Sequence, residues 1–430
     1  MLKFVFGGGG EYEDPVLSQN LKANIIDGAM FAFGMSFVSL QTVFPVFLKR
    51  VGGSNIAVGL IPVLWTAGMH LPQILVANRV QWYPRKREIF LRTAFVQRLP
   101  WILLAILSLV VIERVSPFAG TVLLLLFLLV AAVAGGINFP IWFDLIAKLT
   151  PVRLRGRLFA ARNLLGAMLA VLGGIFVERI LISVPYPTSY GLLFLLAVTG
   201  MFISYIFLCR LQEQTDSPVG GRRTLPEYAR DLPGIILRHS NFRHFLISDA
   251  LLMAATMASA FYAVYGLEKF LLDDSYAGMF TIVMAGTLVL GNFAFGRLAD
   301  HAGHRIILLI SGGSTALAAL TALLAPSAVI YLLVFACAAL QVSLSGISRL
   351  PLVAELCSEQ DRPTYVALTN MVSTPFALSG ILGGWMATSI GYEPVFLSAA
   401  VLSSLSVFWL YRFVKDPRFA HPHEPHSLTT

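Results

Sequence analysis

Charge is scarce in this chain of 430 residues. Asp, Glu, Lys and Arg make up 13% of it, whereas hydrophobic residues make up 57%. A soluble domain carries about 25% charged residues, so the composition excludes an ordinary soluble fold. The mean hydropathy is +0.76, and the apolar runs are many and long. A membrane-spanning helix needs roughly 20 predominantly apolar residues, so we predict an integral membrane protein with many helical spans.

Cysteine and recognisable catalytic motifs are also few. The three cysteines, Cys209, Cys337 and Cys357, form no CxxC pair, which argues against a disulfide framework and a zinc site. No HExxH or GxSxG motif occurs, so a membrane enzyme is not indicated. Nothing resembles the filter loop of a passive channel. The net charge of +8 does not indicate nucleic-acid binding, because Lys and Arg accumulate in the cytoplasmic loops of membrane proteins.

Twelve apolar runs predict twelve spans, separated by charged residues or by Pro and Gly. Their approximate ranges are 25–48, 54–78, 88–112, 118–146, 158–183, 189–211, 243–266, 275–299, 305–325, 328–350, 363–389 and 393–414. A long polar linker at 212–242 separates the sixth run from the seventh, and its amphipathic segment is expected to lie along the membrane surface. We therefore predict two six-helix bundles, at 1–211 (with a tail at 1–24) and at 243–430 (with a tail at 415–430).

Basic residues are distributed unevenly between the predicted loops. Of the 31 Lys and Arg residues, the odd-numbered loops hold only Lys49, Arg50, Arg114, Arg179 and Lys269. Because basic residues accumulate on the cytoplasmic side, both termini and the linker are predicted to be cytoplasmic, in a protein of the cytoplasmic (inner) membrane.

The two predicted bundles are related by an internal repeat of about 220 residues. The first span opens IIDGAMFAFG and the seventh opens ISDALLMAAT, so Asp27 matches Asp249. After the fourth and tenth spans, Asp144 matches Glu355 in the same way. Such a repeat indicates that each half folds as one structural unit.

A short loop with unusual composition, GNFAFGRLADHAGHR at 291–305, also occurs twice. In the N-terminal copy, ANRVQWYPRKR at 77–87, Arg79 matches Arg297 and Arg87 matches Arg305. That copy has lost the acid and both glycines of the C-terminal loop, which are Gly296, Asp300 and Gly303.

These features together resemble the major facilitator superfamily of secondary transporters over nearly the whole chain. The resemblance rests on two sets of six spans, a basic central linker and the pattern GRLADHAGHR between the second and third spans of a half. It implies an all-α membrane protein, in which two pseudo-symmetric six-helix bundles surround a central cavity that opens alternately to either side.

The same resemblance implies that the loop locks the cytoplasmic side in the outward-facing state. Asp300 and Arg297 fit this latch, since an acid can engage a helix N-terminus or an arginine. Arg305 either takes part or anchors to lipid phosphates. We predict that Asp144 and Glu355 pair with the nearby basic loops, Arg153–Arg157 and Arg362, and complete a cytoplasmic gate. The predicted gate residues are Gly296, Arg297, Asp300, Gly303, Arg305, Arg79, Arg87, Asp144 and Glu355.

Three ionisable groups inside the spans are candidates for proton coupling, because such groups are costly in a membrane. Asp27 and Asp249 either exchange protons during transport or cap the starts of their helices, and the capping interpretation is favoured. His70, in the second span, either titrates or packs with a hydrogen bond, and packing is favoured.

Other polar residues are candidates for contacts with a transported solute. The resemblance implies that the first, fourth, seventh and tenth spans line the cavity. The candidates on these spans are Gln41, Asn138, Trp142, Tyr262, Tyr265, Gln341, Ser345 and Arg349. Hydrogen bonding between helices is an equally good interpretation for each of them.

The sequence does not fix the subfamily. Proton-driven drug antiporters carry an arginine in the fourth span and GPxxGG in the fifth, whereas 118–141 contains no arginine and 169–174 reads LAVLGG. We predict a monomeric, proton-coupled transporter of a small organic solute, without cofactor or metal, surrounded by membrane lipid and with export favoured. A lipid or lysolipid transporter or scramblase, and a sugar or metabolite uptake permease, are the alternatives.

Overall fold

The protein is described here from a computed structural model, which covers residues 14–80, 85–213, 234, 236, 238–357 and 362–416. Within these ranges the side chains of 74, 75, 77–80, 300, 363 and 367 are not described. The amphipathic segment predicted within 212–242 therefore lies almost entirely outside the described residues. The same holds for the side chains of Arg79 and Asp300 in the predicted gate.

The described part of the chain is helical throughout, and strands are absent from it. The helices of the N-terminal half are α1 Pro15–Ser36, α2 Val43–Arg50, α3 Asn55–Val80, α4 Lys86–Ile106, α5 Pro117–Leu149, α6 Val152–Ser183 and α7 Thr188–Leu208. Those of the C-terminal half are α8 Ser240–Ala255, α9 Tyr262–Phe270, α10 Tyr276–Ala302, α11 His304–Leu324, α12 Ala328–Glu355, α13 Arg362–Ser373, α14 Ser379–Ser389 and α15 Glu393–Phe413.

Eleven helical stretches of the described chain are long and apolar enough to cross a membrane. The first predicted span, 25–48, is not among them, because a turn at 37–42 divides it into α1 and α2. α1 begins ten residues before the predicted start. Asp14 accepts a hydrogen bond from the N–H of Val16 (2.9 Å), and Pro15 occupies the first helical position, a combination that favours helix initiation.

Close backbone approach joins the two halves. α3 crosses α14 so tightly that a Cβ added to Gly59 would lie 2.0 Å from the carbonyl oxygen of Gly380. α6 crosses α10 in a similar way, with Gly174 against the backbone of Gly278. Glycine at these crossings allows helix axes to come nearer than larger residues permit.

The internal repeat is visible at the end of the molecule where the two halves carry their first and last residues, which we call the termini end. Asn20 of α1 exchanges two hydrogen bonds with the backbone of Gln212, at 3.0 and 2.8 Å. Asn241 of α8 makes the same two bonds with the backbone of Lys415, at 2.9 and 2.8 Å. In each half an asparagine thus ties the first helix to the segment after the last one.

The two matched arginines of the loop repeat also play the same part in both halves. Arg87 donates to the carbonyl oxygen of Cys209 (2.7 Å), and Arg305 donates to those of Leu410 and Tyr411. Each arginine therefore satisfies carbonyl groups at the C-terminal end of the last helix of its own half, where a helix leaves acceptors without partners. For Arg305 this contact, with protein rather than lipid, is the one that the structure shows.

Candidate functional site

A cavity of about 840 Å³ lies between the two halves. Its walls come from α1, α3 and α6 on one side and from the segment 253–260, α10 and α12 on the other. A volume of this size is within the range of small-molecule sites. We call it the central cavity.

The lining of the central cavity is mainly apolar, with a few polar groups. Amides and hydroxyls are contributed by Gln41, Asn163, Asn292 and Ser343, among others. Among the described residues, Arg162 of α6 is the one charged side chain in the lining. The Oε1 atom of Gln41 is buried and has no hydrogen-bond partner among the described residues. The cavity therefore presents one cation to a solute.

Arg162 is held by a buried acid of α1. Its Nη1 donates to Asp27 Oδ2 at 2.7 Å and to the side-chain and backbone oxygens of Asn24 at 2.6 and 3.0 Å. The Asp27 side chain is 3% exposed. The guanidinium lies over the ring of Trp142, 4.8 Å from its centre. This ion pair lies at the boundary of the central cavity, because Arg162 also lines a second pocket of about 230 Å³ that contains Asp27.

A second buried arginine of the N-terminal half supports the same acid through a hydroxyl. Ser204 of α7 donates to Asp27 Oδ1 at 2.6 Å, and Arg98 of α4 donates to Ser204 Oγ at 2.9 Å. Arg98 also donates to the carbonyl oxygens of Met201 (2.7 Å) and Ala94 (2.6 Å). The second charge thus stabilises the carboxylate of Asp27 without contacting it directly.

The C-terminal half contains a corresponding pair. Arg349 of α12 grips both oxygens of Asp249, with Nε–Oδ1 at 2.7 Å and Nη2–Oδ2 at 2.8 Å, and its Nη1 donates to Asn370 at 2.9 Å. Ser373 donates a further hydrogen bond to Asp249. Two-point pairing of this kind is the strongest geometry available to a guanidinium and a carboxylate.

These contacts correct the interpretation of the two aspartates as helix caps. α1 begins at Pro15 and is capped by Asp14, so Asp27 lies in the middle of the helix. Asp249 lies nine residues after Ser240, where α8 begins. The capping interpretation is wrong because α1 begins ten residues and α8 three residues before the predicted start of its apolar run, so neither aspartate lies at a helix start.

His70 joins the N-terminal half to the neighbourhood of the second ion pair. Its Nδ1 lies 3.0 Å from Thr374 Oγ1, and Thr374 follows Ser373, which contacts Asp249. Thr374 in turn donates to the carbonyl oxygen of Asn370, a partner of Arg349. The predicted packing role of His70 agrees with this hydrogen bond, and its titration stays a prediction.

The other predicted solute contacts are dispersed. Gln41 lines the central cavity, and Asn138 and Trp142 line the pocket around Asp27. Asn138 bonds to Gln97 (3.0 Å) and Thr93 (2.7 Å) on α4, an interhelical role. α5, which forms the fourth span, contributes no described residue to the lining of the central cavity.

Five candidates in the C-terminal half lie outside the lining of the central cavity, as far as the described residues define it. Gln341 and Ser345 bond to each other (3.2 Å), and Ser345 bonds to Ser311 of α11 (2.9 Å). Tyr262 stacks on Phe396, and Tyr265 packs edge-on against the same ring. Arg349, the fifth, is bound to Asp249. The face of α12 that does line the cavity carries Ser343, two positions after Gln341, and Gly346, one position after Ser345.

Sequence reasoning missed Arg162, the central charged residue of the site. The available signal was an arginine inside the predicted fifth span, in LFAARNLLG, at a place where a lone charge is costly. Its position close to the basic segment 153–157, whose arginines are typical of a cytoplasmic loop, weakens that signal.

The two halves also meet at the end opposite the termini. Lys49 lies 3.8 Å from Glu268, and Arg50 lies 4.0 Å from Asp274. Tyr190 donates to Asp274 at 2.9 Å. Here the N-terminal half supplies the bases and the C-terminal half the acids.

Tyr392 completes the contacts at this end. Its hydroxyl donates to Asn55 (3.0 Å) and lies 3.2 Å from Glu268. Burial, followed by the negative charge of Glu268, raises the pKa of Tyr392, so this tyrosine remains a neutral donor. The contacts close the end of the bundle opposite the termini.

The predicted gate loop is only partly described. Gly303 has a φ of +90° between α10 and α11, a backbone conformation that favours glycine. Arg297 is exposed and lies over Phe293, 4.3 Å from the ring centre. A Cβ on Gly296 would meet nothing within 4 Å. The latch itself rests on Asp300 and stays a prediction.

The predicted partners of the matched acids differ from those found. Asp144 pairs with Lys86 at the start of α4, and Glu355 lies 3.8 Å from His304 at the start of α11. In both halves the acid near the end of the fourth span therefore contacts the first residue of the helix that forms the third span. The prediction named Arg153–Arg157 and Arg362, because the sequence does not show which loops adjoin.

Glu213, which follows α7, binds the start of α4. It accepts from Lys148 Nζ at 2.6 Å and from the backbone N–H groups of Lys86 (3.2 Å) and Arg87 (2.8 Å). Burial opposes ionisation, but these donors outweigh it and lower the pKa of Glu213. An acid thus occupies a helix N-terminus in the half whose loop lacks one.

Comparison with known proteins agrees with this architecture. Residues 250–428 match the sequence model described as "Major Facilitator Superfamily". No curated protein matches the chain. Solved structures with the same fold include a variant of the nucleoside transporter NupG (13% identity, 92% of this chain and 100% of that chain, TM-score 0.70). A D-xylose–proton symporter (13%, 94% and 99%, 0.66) is a second. A bacterial homologue of the lysosomal transporter Spinster, in an inward-facing conformation (14%, 93% and 97%, 0.66), is a third.

Identities this low establish the fold and not the solute. The fold extends over both halves, the matched sequence model covers most of the C-terminal half, and the spans are those of a multi-pass membrane protein. The chain therefore has the fold of these transporters, and most of its C-terminal half matches the model of the major facilitator superfamily.

Proposed function

We propose that the protein is a proton-coupled secondary transporter that moves a small organic solute across the cytoplasmic membrane by alternating access. The observation that carries the proposal is the buried Asp27–Arg162 pair on the wall of the central cavity. A carboxylate and a guanidinium inside a membrane are stable together and costly apart. Protonation of Asp27 neutralises its carboxylate and leaves the Arg162 guanidinium without a charged partner. Proton binding thereby changes the charge of the cavity wall.

The contacts between the halves support alternating access. Ion pairs and close helix crossings hold the halves together at the end opposite the termini. With the termini in the cytoplasm, as the loop charges favour, this is an inward-facing arrangement. The reverse state requires these contacts to part and the termini ends to meet, which a rocking motion of two rigid bundles accomplishes.

The proposal is tested with purified protein in proteoliposomes that carry a pH gradient. A panel of nucleosides, sugars, amino acids, dipeptides and organic acids is first screened by thermal shift, since a bound solute stabilises the folded protein. For each compound that binds, we expect gradient-driven accumulation that an uncoupler abolishes. Asp27→Asn and Asp249→Asn should lose accumulation but retain counterflow exchange.

Two results would contradict the proposal. Accumulation at wild-type levels by both Asn variants would mean that coupling lies elsewhere. Equilibration of every binding compound, at a rate that the uncoupler does not change, would indicate a passive pathway instead.

A further inference from the structure

The two buried arginines differ in how much of the guanidinium is already in use. Arg349 commits all three nitrogens, Nε and Nη2 to Asp249 and Nη1 to Asn370. Arg162 makes its hydrogen bonds through Nη1 alone, and among the described residues its Nε and Nη2 have no acceptor. A guanidinium offers five N–H donors, so Arg162 has a free edge and Arg349 has none.

The free edge of Arg162 belongs to the wall of the central cavity. Arg162 lines that cavity, whereas Arg349 does not. Gly28 makes this position possible, since the stem of Arg162 lies directly against it: a Cβ there would come within 2.1 Å of Cγ and 2.2 Å of Nε. The backbone next to Asp27 is therefore shaped to let the arginine pass over it toward the cavity.

The rest of the lining defines the other parts of a solute. No described acid lines the central cavity, so nothing there would compensate a cationic group. Met35, Trp65, Met253 and Leu288 supply apolar surface. The lining therefore suits an apolar body that carries an anionic group.

From these observations we infer that the transported solute is an organic anion, a carboxylate with an apolar body, whose carboxylate pairs with the free edge of Arg162. The inference rests on the proposed function and specifies its substrate class. Because the guanidinium is shared, the solute carboxylate competes with Asp27 for it. Once Asp27 has lost its partner, it takes up a proton from the aqueous phase, so one proton and one anion bind together without a change in the net charge of the site.

The inference is tested by binding at equilibrium, without a gradient. The probes are matched pairs of the same apolar body: octanoate and octanamide, 1-naphthoate and 1-naphthamide, indole-3-acetate and its amide. Thermal shift and quenching of intrinsic tryptophan fluorescence report binding, since Trp65 lines the central cavity. We expect at least one carboxylate to bind tenfold or more tightly than its amide.

Two variants are expected to change the affinity for carboxylates in opposite directions. Arg162→Gln should reduce carboxylate affinity by about tenfold or more and leave the affinity for the amide within about twofold, because only a charged partner is lost. Asp27→Asn should increase carboxylate affinity by several-fold, since the competitor for the guanidinium is gone. Arg412→Gln removes an arginine from an exposed position on α15 and serves as the charge-matched control.

Equal binding of every carboxylate and its amide would overturn the inference, as would an Arg162→Gln variant that keeps carboxylate selectivity. If Arg162→Gln unfolds, the loss of its thermal transition reveals this, and the direction in which Asp27→Asn changes carboxylate affinity then tests the inference.

The proposed function can be rejected independently of the anion site. Selective carboxylate binding with no gradient-driven accumulation would uphold the anion site and reject coupled transport, whereas accumulation of neutral compounds alone would do the reverse.

Discussion

In the N-terminal half, Arg162 reaches Asp27 from α6, the fifth span of that half, whereas in the C-terminal half Arg349 reaches Asp249 from α12, the fourth span of its half. The acids occupy matched positions in the repeat, but the arginines do not. When Asn163 is aligned with Asn370 and Asp144 with Glu355, Thr369 corresponds to Arg162 and Asn138 corresponds to Arg349.

The different origin of the arginine decides what each pair can do. An arginine on α6 lies on the wall that the two halves share, and it keeps a free edge toward the central cavity. An arginine on α12 binds both oxygens of its acid through Nε and Nη2, and its Nη1 bonds Asn370 of α13 as well. The N-terminal pair is thus suited to exchange partners, and the C-terminal pair is suited to hold helices together.

Removing each arginine tests this division, and here the largest effect is expected. Arg349→Gln leaves Asp249 buried without its two-point partner and should lower the free energy of unfolding by about 3–5 kcal/mol. Arg162→Gln should cost about 2 kcal/mol, because Asp27 keeps its bond from Ser204 and adjoins a pocket that can admit water. Denaturant titration of detergent-solubilised protein measures both values. Equal losses for the two variants would remove the distinction between the pairs.

Much of this architecture could be predicted from the sequence, and the parts that could not have a physical cause. Apolar runs and loop charge predict the spans, and the repeat predicts that Asp27 and Asp249 occupy equivalent positions. Both predictions depend on the local sequence alone. Hydrophobic periodicity does not predict that α1 begins at Pro15, since the residues before 25 mix polar and apolar side chains and contact other protein segments such as Gln212. The repeat led to the acids but not to their arginines, because the arginines break the repeat.

The predicted solute contacts Gln341 and Ser345 on α12 contact a neighbouring helix instead of lining the central cavity. On α12 the polar stripe of Gln341 and Ser345 faces α11, whereas Ser343 and Gly346 face the central cavity. A shift of one or two positions rotates a side chain by 100° or 200° around a helix axis. Polar residues in a span therefore indicate that a partner exists, and only the packing of the neighbouring helices shows whether that partner is a solute or a side chain.

A smaller loss of stability is expected when a methyl group is added at Gly28, which lies against the stem of Arg162. Gly28→Ala places a Cβ against the stem of Arg162 and should cost about 2 kcal/mol, with loss of the ion pair to Asp27. Carboxylate selectivity should fall with it. The matched control is Gly313→Ala on α11, where a Cβ meets nothing within 4 Å and the change should stabilise by about 0.5–1 kcal/mol. Thermal unfolding and the carboxylate–amide pairs measure both consequences.

The smallest effect concerns the termini end, where the halves differ in the origin of an acid. The C-terminal loop carries its own acid, whereas the N-terminal copy lacks one and receives Glu213 from beyond α7. Glu213→Gln should lower the free energy of unfolding by about 1–2 kcal/mol at neutral pH, because it weakens charge-assisted bonds to Lys148 and to the start of α4.

The pH dependence of this effect has a defined sign. Because the native pKa of Glu213 lies below its ordinary value of 4.5, the unfolded state takes up the proton first as the pH falls. The contribution of Glu213 is therefore complete above about pH 4.5 and is lost as the pH falls through the lower native value. Stability measured from pH 7 down to about pH 2 should show wild type and Glu213→Gln differing above about pH 4.5 and converging below it. Glu88→Gln, an exposed change on the same turn of α4, should leave a difference from wild type below about 0.5 kcal/mol throughout. A difference between wild type and Glu213→Gln that persists unchanged at acid pH would show that the side chain acts by shape, and the N-terminal half would then lack any acid in the role that its repeat has lost.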